Sequence, residues 1–145
     1  MTSKNRCQLD LCGQETVDIP DKETLTRLIY EYTFRDDFFA ILVLPSDHFM
    51  QTASSDEPGR FVLEVQEGSC DDHQRCSDTS LPLDTVVAAM TSYLAGDDQW
   101  RTNLPWEPCD LELEARQYRR SRALWASLSV LVIALLAFVL FRISG

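Results

Sequence analysis

Hydrophobic and polar positions follow each other in short, changing rhythms through the first 110 or so residues, and each rhythm predicts an element. A short strand is predicted at Cys7–Leu11, followed by the turn-rich "CGQETVDIP" ending at Pro20. Asp21 then stands as N-cap to "KETLTRLIYEYT", where Leu25, Leu28, Ile29 and Tyr32 share one helical stripe. "FFAILVL", Phe38 to Leu44, is continuously apolar and reads as a central strand covered on both faces. "PSDH" turns the chain, "FMQTA" returns as a strand, and "SSDEPG" is a polar loop. "RFVLEVQ" sets Phe61, Leu63 and Val65 against Val62, Glu64 and Gln66, the alternation of a half-buried antiparallel strand.

"SCDDHQRCSDTS" is polar throughout and predicts an exposed loop. "LPLDTVVAAMTSYLAG" predicts a second helix, with Val86, Met90, Tyr93 and Leu94 buried and Gly96 closing its C-terminus. Beyond it Trp100 and Trp106 lie in a Pro-containing stretch, and "CDLEL" predicts a last short strand. The sum is an α+β fold: an antiparallel sheet of three to five strands with two helices on one face.

A different pattern follows. Ala123 to Phe141 is 19 residues without a charge, and it is apolar on every side. As a helix it would run about 28 Å, close to the hydrocarbon thickness of a bilayer. Tyr118 and Trp125 sit near its start, where amphipathic aromatics favour the headgroup zone. A transmembrane helix is the expectation. Arg116, Arg119, Arg120 and Arg122 precede it and only Arg142 follows, so the positive-inside bias puts the preceding domain in the cytoplasm. The predicted organisation is a soluble domain over 1–115, a basic juxtamembrane segment over 116–122, the span over 123–141 and a short tail over 142–145. This is a tail-anchored arrangement with the lipid bilayer as one partner and a bacterial inner membrane as the favoured setting. The N-terminus shows no apolar segment of the secretory type.

Charge sharpens that division. The net charge of −10 is not evenly spread. Residues 1–115 carry all 23 acidic residues against eight basic ones, a net −15. Residues 116–145 carry five arginines and no acid. So acidic a domain is repelled by a phosphate backbone, which argues against nucleic acid as a partner. The five cysteines are odd in number, which favours reduced thiols over a disulfide framework.

Candidate chemistry is sparse. "CDDHQRC" could offer a metal three ligands, Cys70, His73 and Cys76, with Cys7 or Cys12 as a fourth. A Cys70–Cys76 redox pair is a further alternative, but a solvated polar loop is the favoured reading and no cofactor is expected. His48 lies in a turn beside Asp47, while Glu64 and Glu67 alternate to opposite faces and make no acid/base pair. No nucleophile elbow, phosphate-binding glycine loop or zinc-protease motif appears, which points away from an enzyme. Asp71, Asp72, Asp97 and Asp98 with Trp100 and Trp106 could form an acidic face with aromatic anchors for a basic protein partner. The favoured reading makes the tryptophans core and the acids merely solvating, because Trp is mostly buried.

The acid-capped "DKETLTRLIYEY", the strands leading to "RFVLEVQEG", and "LPLDTVVAAMTSYLAGDDQWRTNLPW" together resemble small bacterial immunity-type (Imm1-like) proteins over roughly residues 20–110. The resemblance implies a non-enzymatic module that binds and neutralises a cognate toxin. The membrane tail departs from that pattern and suits a partner met at the membrane.

Overall fold

The computed structural model describes residues 6–19, 21–35, 37–46, 48–68 and 72–109, which fall within one compact unit, Met1–Cys109. Its elements in chain order are β1 (Cys7–Leu11), β2 (Glu15–Ile19), α1 (Lys22–Tyr32), β3 (Phe39–Val43), β4 (Phe49–Ser54), β5 (Arg60–Gln66), β6 (His73–Cys76), β7 (Leu81–Pro82), α2 (Leu83–Ala95), α3 (Gln99–Asn103) and β8 (Trp106–Pro108). The strands form one antiparallel sheet in the order β2-β1-β3-β4-β5-β6-β8, with β7 on the far half of β5.

Among the described residues the sheet therefore has eight strands, not three to five, and three helices accompany it rather than two. The expected count fell short because the extra strands are short and, in β2 and β6, polar. β2 lies inside the turn-rich "CGQETVDIP", and β6 inside the polar stretch read as a loop. Each gains its backbone hydrogen bonds from a neighbour rather than from apolar burial of its own, so hydropathy alone does not mark it. The last described strand is Trp106–Pro108, and all of "CDLEL" beyond Cys109 lies outside the described residues.

Alternation sorts the sheet into two faces. Leu9, Leu11, Ala40, Leu42, Met50, Thr52, Leu63 and Val65 are register partners on one face and are fully buried. α2 packs on β4, β5 and β7, with α1 beside it. α1 contributes Leu25, Leu28 and Ile29, and α2 contributes Val86, Val87, Met90 and Tyr93. Asp21 caps α1 by accepting the Thr24 amide at 2.8 Å. Gly96 ends α2 in the left-handed region at φ 71°, which an L side chain would resist. The opposite face carries Phe39, Ile41 and Val43 of β3, all half-buried, so β3 is not covered on both sides as its apolar run suggested.

Among the described residues no helix is long and apolar enough to cross a membrane. The span expected at 123–141, Trp125, and the arginines Arg116, Arg119, Arg120 and Arg122 lie outside the described residues.

Candidate functional site

On the face away from the helices, register builds a row of polar side chains. Gln51 of β4 pairs with Glu64 of β5, and Glu64 pairs with Arg75 of β6. One step along, Phe49 pairs with Gln66, and Gln66 with His73. Because paired residues share a face, these side chains converge. The Arg75 guanidinium donates to Glu64 Oε1 from Nη2 at 2.6 Å and from Nε at 2.7 Å. Gln51 Nε2 donates to Glu64 Oε2 at 2.6 Å, and His73 Nε2 lies 3.0 Å from the same oxygen. His73 Nδ1 meets Gln66 Oε1 at 3.4 Å, and the Phe49 ring stands 6.0 Å from the imidazole.

His73 is only 3% exposed, an unusual depth for a histidine on the face away from the described helices. Burial pushes the Glu64 carboxyl upward, but hydrogen bonds from Arg75, Gln51 and His73 outweigh it, and the group titrates below the usual glutamate range. The carboxylate is thus a buried anion held by three donors rather than a proton carrier. β8 brings in one more group. The Cys109 amide donates to the His73 carbonyl at 2.9 Å, continuing the β8 pairing onto β6. A ligand atom from each of Glu64, His73 and Cys109 then lies within 4.8 Å of the other two.

Beside this cluster the face becomes apolar. Phe39, Ile41, Ala53 and Val62 join Gln51 and Glu64 around a cavity of about 320 Å³. The cluster offers metal-type donors at one end and an apolar hollow at the other. A nucleophile–base reading of Cys109 and His73 is weaker, because both ring nitrogens are already engaged by Glu64 and Gln66.

The residues singled out from the sequence are distributed differently. His73 faces the polar cluster, whereas Cys76, three positions on, turns into the core. Alternation keeps the two from converging on one ion. Burial also pushes the Cys76 thiol up, away from the thiolate that metals prefer. Cys70 and Asp71 lie outside the described residues. Cys7 and Cys12 lie on or beside β1, four inter-strand steps from β6 and so about 19 Å away, too far for a fourth ligand.

The acidic and aromatic patch also resolves into parts. Trp100 is 4% exposed and stacks edge-to-face between Tyr93 and Trp106, with ring centres 5.4 Å from each. Trp106 is half-buried and donates its indole N–H to the Trp100 carbonyl at 3.0 Å. Asp97 accepts from the Ser92 hydroxyl and from the Gln99 amide, so it shapes the turn into α3. Asp98, with a side chain 84% exposed, and Asp72 remain at the surface. Glu67 pairs with Arg101, away from Glu64.

Sequence reasoning passed over Gln51, Arg75 and Cys109, and weighed Glu64 only against Glu67 as an acid/base pair. One signal was present: Glu64 and Gln66 hold the non-core parity of a strand whose other residues after Arg60 are apolar. Partners for them required the register. No family model matches the chain, and no curated protein or solved structure matches it.

Proposed function

We propose that this chain is a membrane-tethered, non-catalytic protein-binding module that works on the cytoplasmic side. The observation that supports binding is the apolar hollow of Phe39, Ile41, Ala53 and Val62, half-buried on the face away from the helices and bordered by Gln51 and Glu64. An apolar centre with a polar border is the anatomy of a protein interface. The acidic excess of residues 1–115 selects a partner with a basic rim around an apolar anchor. Immunity-like neutralisation of a toxin fits that chemistry. Tethering rests on the uncharged run 123–141 and the arginines before it.

The tethering test is protease protection in sealed membranes. Protease on the cytoplasmic side should digest the domain, and digestion only from the opposite side would overturn the orientation. The binding test is a photo-crosslinking residue at Ile41, compared with one at Arg27 on α1, in the intact chain produced in its own cells. A defined adduct at Ile41 and none at Arg27, lost on Ala53→Glu, is the expected outcome. An adduct only at Arg27, or none at either, would overturn the proposed surface.

A further inference from the structure

Glu64, His73 and Cys109 come from three different strands or strand ends, yet they meet at one point of the sheet. Their donors are a carboxylate oxygen, an imidazole nitrogen and a thiol sulfur. We propose that these three side chains bind a divalent transition ion, zinc by the chemistry of the donors.

The geometry carries this in three ways. First, the donor atoms are already within 4.8 Å of each other, and tetrahedral zinc holds such donors roughly 3.3–3.8 Å apart, given bonds of about 2.0–2.3 Å. Side-chain rotation closes that gap on a rigid sheet. Second, Glu64 Oε2 and His73 Nε2 are 3.0 Å apart, so the two donors already share one hydrogen whose place an ion would take. Third, the surrounding groups orient the donors as second-sphere residues do. Gln66 Oε1, 3.4 Å from Nδ1, can accept the ring proton there once the ion takes Nε2 from its contact with Glu64 Oε2. Arg75 occupies Oε1 of Glu64, and Gln51 steadies Oε2.

On binding, the ion forms bonds to Oε2, Nε2 and Sγ. The thiol proton of Cys109, and any proton between His73 and Glu64, leaves to solvent, so no oxidant or reductant is involved. Water takes the fourth position. The set shares only His73 with the Cys70/His73/Cys76 trio suggested by spacing, because strand register rather than chain proximity gathers it. The inference does not rest on the docking surface and can fail without it.

The test uses the full chain in detergent, stripped with chelator and titrated with cobalt(II) as the spectroscopic stand-in for zinc. Near-ultraviolet thiolate-to-cobalt absorption should saturate at one equivalent and be displaced by zinc. It should vanish in Cys109→Ser and His73→Gln and persist in Cys76→Ser. Should the variants fail to fold, wild-type protein decides, because zinc should then slow alkylation of Cys109 at least tenfold. No absorption in the wild type, absorption that survives Cys109→Ser, or alkylation unchanged by zinc would each overturn the site.

Discussion

Glu64 on β5 and Arg75 on β6 are direct register partners, and the guanidinium closes on one carboxylate oxygen through both Nη2 and Nε, at 2.6 and 2.7 Å. The pair is mostly withdrawn from water, with 12% of the Glu64 side chain and 30% of that of Arg75 exposed. An isolated anion at that depth is costly, so the pair matters most when one member is missing. Arg75→Met should destabilise the domain by about 3 kcal/mol. Adding Glu64→Leu should recover part of that loss, since the stranded charge goes with it. Denaturant titration of the two singles and the double checks this. A double variant no more stable than Arg75→Met would show that the pair is not the source of the cost.

Trp100 and Asp98 are two residues apart and should answer mutation in opposite ways. Trp100 fills the space among Tyr93, Trp106 and α2, so Trp100→Ala should cost about 3–5 kcal/mol through transfer and cavity effects. Asp98 stands in solvent 3.8 Å from Arg101, and Asp98→Ala should change stability by no more than about 0.5 kcal/mol. Thermal unfolding of both variants is the measurement. Equal small effects would mean that Trp100 is not a core residue.

These two residues also show how much of the domain was legible in the chain. Elements with their own apolar period, such as α1, α2 and β5, were readable with their caps, because Asp21 and Gly96 act locally. β2, β6 and β8 were not, since such short segments, polar in β2 and β6, become strands only when a neighbour offers its edge. Trp100 offered core and interface readings, with core the favoured one, and its packing against Tyr93 agrees with that. The polar cluster was least legible. Glu64, Arg75 and Cys109 span 46 positions of chain, and nothing local to any of them announces the others.

Asp97 supplies a pH dependence. The Ser92 hydroxyl and the Gln99 amide both donate to its carboxylate and hold its pKa below the ordinary aspartate value of 3.8. A depressed folded pKa stabilises the fold above the unfolded value, and that contribution disappears as pH falls through the folded one. The stability gap between wild type and Asp97→Asn should therefore be constant near neutrality and narrow below pH 3.8. Chemical denaturation across acidic pH measures it, and a gap that widened on acidification would refute the role of the charge.

Tyr93 is the buried residue whose polar atom lacks a use in the core. Its ring packs edge-to-face on Trp100, but among the described residues its hydroxyl has no hydrogen-bond partner. Burial, with a smaller contribution from Glu67, pushes the phenol well above its ordinary range, while Arg101 opposes the shift. An unsatisfied buried hydroxyl carries its desolvation cost without a compensating bond. Tyr93→Phe keeps the ring and removes that cost, so it should raise stability by about 1 kcal/mol. For a domain of this size that corresponds to roughly 4–8 °C in Tm. Differential scanning calorimetry reads the shift directly. A fall in Tm would mean that the hydroxyl makes a bond in the folded protein.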